Sequence, residues 1–336
     1  MSTISYKHSM AAHCESGAVT NMVNHKGLEI SEPLVFGISS GIFFGYMKTP
    51  MREFPTIFSR IRPGKILENF CKNTGVVFVK KKFNDPEKAE KELDALLEQN
   101  IPVGLQVDFF FMDFFPPWHR VHINVHYIVV IGKKDDHYIV SDAYHPTIAK
   151  LHRDSLRKGR FAKGSMAPKG LMFYPVEIPE QIPMKKGIRQ GMKSTVFNML
   201  KIPMPFLGVK GIRRFGDKIS DWPKYARNEE QLAHNVFMIT TMLEDQGTGG
   251  AGFRYIYASF LREAATILNE PVFNEYAKRM MEIGDDWRNV SLFASRIAKQ
   301  RELGKEKLNE LGELIRNNAD QEYKFFSDLR ESYASK

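Results

Sequence analysis

Cysteine is scarce in this sequence: Cys14 and Cys71 are the two present in 336 residues, too few for a disulfide framework. Long apolar runs are missing as well. The longest, 34–47 and 125–132, are too short or too interrupted to span a bilayer, which takes about 20 apolar residues. The N-terminus shows no signal peptide, and there is no repeat of fixed period and no low-complexity tract. These absences argue against a disulfide-stapled secreted domain, a membrane-spanning protein and a repeat array. The expectation is a cytoplasmic protein without a membrane partner.

What is present is ordinary globular material. Hydrophobic residues make up 43% and charged residues 26%, enough for a sizeable core, and the length suggests two domains. The net charge of +9 is unevenly placed. Residues 150–227 hold 18 Lys and Arg against 5 Asp and Glu, a local +13 that leaves −4 for the rest. A negatively charged partner or a solvated basic face accounts for this equally well. The segment matches no nucleic-acid reading motif, so no nucleic-acid partner is expected.

Residues 8–47 organise the chain. Cys14 opens a predicted helix: Ala18, Val19, Met22 and Val23 fall at helical spacing behind it, and Gly27 stops the run. A thiol at a helix N-terminus feels the positive end of the helix dipole, which favours the thiolate. The plain alternative is a small buried residue. Ser31 caps a second short helix, with Pro33 in its first turn and Gly37 at its end. Gly41 and Gly45 bracket an aromatic strand. Further on, the pattern predicts a helix over 65–73 with Cys71 in the core, a strand at 76–79, a helix from Pro86 to about 99, a strand at 103–110 and a loop at 112–120. Strands at 123–131 and 137–142 form a hairpin, followed by a helix at 153–160 and a last strand at 171–177. Pro175, Pro179 and Pro183 mark a boundary near 178–185. Beyond it only helices are predicted, at 188–200, 228–245, 252–268, 271–299 and 303–332. The glycines of QGTGGAGF (246–253) follow a helix rather than a strand, which argues against a dinucleotide fingerprint. The expected organisation is an α+β domain over 1–180, helices packed on an antiparallel sheet, then an all-α domain over 185–336.

The hairpin carries the chemistry. With Lys133, Lys134 and Asp135 as its loop, Gly132 pairs with Asp136 and His126 lies directly opposite Asp142, on one face, with Cβ atoms roughly 5 Å apart. A one-residue slip would put them on opposite faces. A nucleophile at a helix start, a histidine on a strand and a carboxylate on the next strand follow the order of papain-like cysteine enzymes. In that chemistry His126 takes the thiol proton and later delivers one to the leaving group. Asp142 fixes the ring's tautomer and stabilises the imidazolium, and Cys14 holds the acyl group as a thioester. His122 shares the strand parity of His126 and is the rival base, but its expected partner is Pro146. His119 and His137 lie near without an assigned role. His13, Cys14, His122 and His126 match no zinc-finger or HExxH spacing, so no metal is expected.

HCESGAVTNMV, then SE, then FGISSGIFFGY resemble the butirosin biosynthesis protein H N-terminal domain family at His13, Cys14, Ser16, Ser31, Glu32, Phe36, Gly37 and Gly41. HYIVVIG followed by SDAY resembles its second signature. GGAGFRYIYASFLREAA (249–265) is similar to the helical domain that commonly follows. The resemblance implies a papain-like fold, similar to peptidases that trim bacteriocin leaders. It also implies an acyltransferase in natural-product biosynthesis that moves an acyl group from an acyl carrier protein or similar thioester to an amine or hydroxyl of a small-molecule acceptor. The implied triad is Cys14, His126 and Asp142, with no cofactor. A peptidase or amidase on the same fold is the alternative, and the oligomeric state, homodimer included, is open.

Papain-like hydrolases place an oxyanion-donating glutamine a few residues before the cysteine, and none precedes Cys14. His8 stands at about that offset and could serve with the Cys14 amide. His13 is expected to order the turn before the nucleophile. Glu32 either orients substrate or ties the Ser31 loop to the first helix. The basic segment is expected to dock a carrier protein through Arg153, Arg157, Lys158, Arg160, Lys185, Lys186, Arg189, Arg213 and Arg214.

Overall fold

The computed structural model describes residues 3–49 and 52–334. In chain order the elements are α1 (Cys14–His25), α2 (Glu32–Ile38), β1 (Ile42–Met47), β2 (Thr56–Arg60), α3 (Lys65–Thr74), β3 (Val77–Lys81), α4 (Pro86–Glu98), β4 (Val103–Val107), β5 (His126–Lys134), β6 (His137–Ser141), β7 (Ala149–His152), α5 (Arg153–Arg160) and β8 (Met172–Glu177). Helices follow: α6 (Met184–Leu200), α7 (Gly208–Lys218), α8 (Glu229–Thr240), α9 (Arg254–Leu268), α10 (Val272–Gln300) and α11 (Lys305–Ala334). The architecture is an α+β domain built on an antiparallel sheet, then an all-α domain. Among the described residues no helix is long and apolar enough to cross a membrane.

The chain separates into two compact units, one of Met1–Val35 and Ile66–Pro183, the other of Phe36–Lys65 and Met184–Lys336. Residues 36–65, expected in the first domain, thus group with the C-terminal helices.

In the first unit six strands pair antiparallel in the order β3-β8-β4-β5-β6-β7. β5 lies inside the sheet, and His126 to Gly132 are buried without a break, so both of its faces are covered. α1 packs on β4, β5 and β8, and α4 on β4 and β5. Tyr138 of β6 donates to Asp94 of α4 at 2.8 Å. Glu15 of α1 is fully buried. Its carboxylate accepts the amides of Ile66 at 3.1 Å and Leu67 at 3.3 Å. It therefore caps α3 from a distance, where the unpaired donors of a helix N-terminus suit a negative charge. Gly17 is required by close approach: a Cβ there would meet Ala11 Cβ at 2.5 Å and Ala143 Cβ at 3.0 Å. That contact lets the Ala11 amide reach the Ala143 carbonyl at 3.0 Å.

In the second unit β1 and β2 form an antiparallel hairpin whose aromatics enter the helical core. Phe44 stacks on Trp287 at 5.4 Å, and the Trp222 indole donates to the Tyr46 hydroxyl at 3.1 Å. Arg254 and Glu322 form a fully buried ion pair, and Glu322 also accepts the Trp287 indole at 2.6 Å. Removing one partner of such a pair costs about 3–5 kcal/mol, because the other charge is stranded. The glycines of 246–253 belong here. Gly250, Ala251, Gly252 and Phe253 all have positive φ, a left-handed turn that delays α9 to Arg254, whose Nη1 holds the Gly252 carbonyl at 2.6 Å. α7 escapes the sequence pattern because glycine weakens a helix. Its Gly216 instead permits contact with α11, where a Cβ would meet the Gly312 carbonyl oxygen at 2.7 Å.

Candidate active site

α1 starts at Cys14 because His13 caps it. The His13 backbone is extended, and its side chain accepts the Ser16 amide at 3.2 Å. Glu32, the first residue of α2, reinforces the same turn. Its carboxylate accepts the Ala12 amide at 2.8 Å, the His13 amide at 2.9 Å and the Ser16 hydroxyl at 2.8 Å. Burial pushes the Glu32 carboxyl up, against the pull of these three donors. Of the two roles expected for Glu32, this geometry corresponds to the tie between the α2 start and α1. His13 likewise orders the turn.

Cys14, His126 and Asp142 come together in the buried interior, with Cys14 5%, His126 3% and Asp142 0% exposed. His126 opens β5 and Asp142 directly follows β6. Asp142 Oδ2 lies 2.6 Å from His126 Nε2. The Cys14 side chain also favours the charged ring, and with Nε2 on Asp142 the ring nitrogen left for proton transfer is Nδ1. The Cys14 sulfur also lies 3.8 Å from the Val125 carbonyl oxygen. Burial lowers the His126 pKa, but the Asp142 carboxylate and then Cys14 outweigh it and hold the imidazole up at about 10. At neutral pH the ring is therefore an imidazolium beside the sulfur. Phe109 meets the ring edge-on at 4.9 Å.

The hairpin differs from the expected one. Its turn has two residues, not three: Lys134 pairs with His137, and Gly132 with Ile139. A bulge then intervenes, so that Val130 pairs with Val140 and Val129 with Ser141. Asp142 is not directly opposite His126, and the pair meets on the diagonal.

Tyr144 is a residue that the sequence reading missed. Its hydroxyl accepts the Cys14 amide at 3.0 Å, and its own amide donates to Asp142 Oδ1 at 2.8 Å. Asp142 thus holds His126 with one oxygen and Tyr144 with the other, and both return to Cys14. The available signal was the SDAY segment itself, in which an aspartate bonds the backbone two residues on.

His8 does not fit the expected oxyanion role. Nε2 lies 2.9 Å from the His145 carbonyl oxygen, and Nδ1 lies 2.8 Å from the Ser141 hydroxyl. A carbonyl can only accept, so the one N–H of neutral His8 is spent there. The reading of His122 also needs correction. It precedes β5, so it has no strand partner at Pro146, and its Nδ1 lies 2.7 Å from Asp108 Oδ2. His119 is exposed in a single turn at 117–119, and His137 lies against His152 at 5.2 Å. Cys71 is half-buried rather than in the core, and burial pushes its thiol up to about 11. Among the described residues no group of three or more His, Cys, Asp or Glu side chains is placed to hold a metal ion.

Several proposed docking cations are committed elsewhere. Arg160 is buried, donates to the Ala89 carbonyl at 3.2 Å and is lowered to about 10 by burial; it cannot face a partner. Arg153 pairs with Glu90, Arg189 with Glu270 and Arg213 with Asp320, while Arg157 lies 3.6 Å from Glu87. Lys158, Lys185, Lys186 and Arg214 are exposed.

Comparison with known proteins assigns the family. Residues 154–329, more than half of the chain, match the family described as Domain of unknown function (DUF4872). The chain belongs to the DUF4872 family. In front of that region, residues 13–143 match the family described as Butirosin biosynthesis protein H, N-terminal. Cys14, His126 and Asp142 lie inside this second match, and Tyr144 lies one residue past it. No curated protein matches the chain. Among solved structures, one described as a "putative C39-like peptidase from Bacillus anthracis" aligns with 16% identity and a TM-score of 0.36, over 53% of this chain and 98% of that one.

Proposed function

We propose that this protein is a papain-like, cysteine-dependent acyltransferase that takes an acyl group from a thioester donor onto Cys14 and passes it to the amine or hydroxyl of a small acceptor. The observation that carries the reading is the 2.6 Å contact of His126 Nε2 with Asp142 Oδ2, with the Cys14 side chain near enough to favour the charged imidazole. The match of residues 13–143 to the butirosin biosynthesis protein H N-terminal family supports the choice of acyl transfer.

The Cys14 thiolate attacks the acyl carbon, and the departing donor thiolate takes a proton from the His126 imidazolium. His126, now neutral, removes a proton from the acceptor as it attacks the Cys14 thioester, and Cys14 leaves as the thiolate. Asp142 keeps Nε2 protonated throughout, so that Nδ1 does the proton transfer. The donor is a carrier protein or a similar thioester. Acyl carrier proteins are acidic, and the exposed Lys185, Lys186 and Arg214 of the helical unit are suited to steering one.

One experiment with several arms tests this. An acyl thioester is supplied with increasing amine, on a carrier protein and on a small neutral thiol, at low and high salt. Amide should form in excess over free acid and saturate with amine. Raising salt from 0.1 M to 1 M shortens the Debye length from about 10 Å to about 3 Å, which should slow the carrier-bound donor alone. Free acid as the sole product would replace transfer with hydrolysis, the peptidase or amidase alternative. Equal salt sensitivity of both donors would remove the carrier docking.

A further inference from the structure

We propose that the Tyr144 hydroxyl is the oxyanion donor of this site, in the position that a glutamine before the cysteine would otherwise fill. The proposal rests on the acyl-transfer reading of Cys14 and adds to it the group that stabilises the transition state.

An acyl transfer through Cys14 places negative charge on the former carbonyl oxygen, beside the sulfur. A site that accelerates the step needs a preoriented donor there. Two groups expected to serve are already engaged. His8 spends its N–H on the His145 carbonyl at 2.9 Å, and the Cys14 amide donates to Tyr144 at 3.0 Å. No glutamine precedes Cys14.

Tyr144 has what the others lack. A phenol carries one hydrogen and accepts with its lone pairs. Because the Cys14 amide occupies a lone pair, the hydroxyl hydrogen points away from that amide. The Cys14 side chain lies near enough to act on the same hydroxyl. The ring is held from its other end: the Tyr144 amide donates to Asp142 Oδ1 at 2.8 Å, and the ring centroid lies 5.3 Å from that of His126. The carboxylate that orients the base also orients this donor. Burial, and then the neighbouring Cys14, push the phenol pKa up, so the group stays protonated and donates without surrendering its proton.

In the step itself the Cys14 sulfur forms a bond to the acyl carbon, and the carbonyl π pair moves to oxygen. The hydroxyl hydrogen turns to that oxygen as the charge moves. Collapse restores the carbonyl and expels the donor thiolate, which takes its proton from His126.

The test separates acylation from mere thiol reactivity. Alkylation of Cys14 by iodoacetamide uses the same thiolate but develops no oxyanion. In Tyr144→Phe, acylation by a thioester should fall roughly 100- to 1,000-fold, the usual effect of losing one such donor. Alkylation, measured at the plateau of its own pH profile, should keep its order of magnitude. Should that variant fail to fold, fluorotyrosine at 144 keeps the ring and strengthens the donor, so acylation should rise while alkylation holds steady. Equal loss of both reactions in a folded Tyr144→Phe, or no loss of acylation, overturns the proposal. So does a fluorotyrosine protein that acylates at the unsubstituted rate. A wild-type protein that takes up no acyl group overturns the acyl-transfer reading and the tyrosine assignment with it, an outcome distinct from loss of the tyrosine role alone.

Discussion

His126 and Asp142 meet at 2.6 Å without lying opposite one another in the sheet. The two-residue turn sets Lys134 against His137, a register that, if continued, would send the two side chains to opposite faces. One extra residue in β5, Ile131, lies between Val130, paired with Val140, and Gly132, paired with Ile139. This bulge shifts the register by one. Continuing it places Asp142 beside Ile128, two residues along from His126 and on the same face. The freed Ile131 carbonyl accepts the Ile4 amide at 2.8 Å, so the N-terminal segment secures the bulge.

Asp142→Asn should therefore cripple turnover while leaving the fold intact. The amide can still accept the Tyr144 N–H, but it then presents its NH2 group to His126 Nε2. The ring would switch tautomer and carry its hydrogen on Nδ1, where it cannot receive a proton. Turnover should fall by on the order of 10³- to 10⁴-fold, and the thermal midpoint should drop, because the stability carried by the raised His126 pKa goes with the carboxylate. Steady-state kinetics beside a melting curve measures both, and near-normal turnover would contradict the assignment of Asp142.

The pH dependence follows from His126. Its pKa is raised to about 10 in the folded protein, against about 6.5 in an unfolded chain. The stability contributed by this group is fully present below about pH 6.5 and lost as pH rises through the folded value. Turnover should therefore hold above neutrality and fall on the alkaline side near pH 10, where the imidazolium is lost. A pH–rate profile checks this, and an alkaline limb near neutrality would contradict the ion-pair account.

Glu32 should matter to the nucleophile without touching it. Glu32→Gln replaces one carboxylate oxygen with an NH2 group, facing a cluster of three donors from Ala12, His13 and Ser16. One of them must lose its acceptor, at about 1–3 kcal/mol. Urea unfolding should show that loss, and Cys14 alkylation should slow because the turn before it loosens. An unchanged urea midpoint would show that the carboxylate does not brace α1.

Much of this was legible in sequence. Cys14 at a helix start, the Ser31-initiated α2, the hairpin strands and most of the C-terminal helices follow from periodicity and capping, which are local signals. β2 and β7 were not legible, being short strands whose pairing is set by partners. α7 was hidden because its glycines lower helix propensity and act through contact with α11. The pairing of His126 with Asp142 was anticipated, but through a direct register, because a bulge has no local signature here. Tyr144 was overlooked because its role depends on contact with Cys14 across the fold. His8 misled for the converse reason: its offset from Cys14 said nothing about Ser141 and His145, which take up its ring.

The account stands on Cys14 carrying the acyl group, and intact-mass spectrometry reads that directly. After brief exposure to an acyl thioester without acceptor, the wild-type protein should gain one acyl mass, located on the peptide containing Cys14 and discharged by added amine. Cys14→Ser should gain none, while His126→Ala should gain it far more slowly. An acyl mass that persists in Cys14→Ser, or that maps to Cys71, would contradict the account.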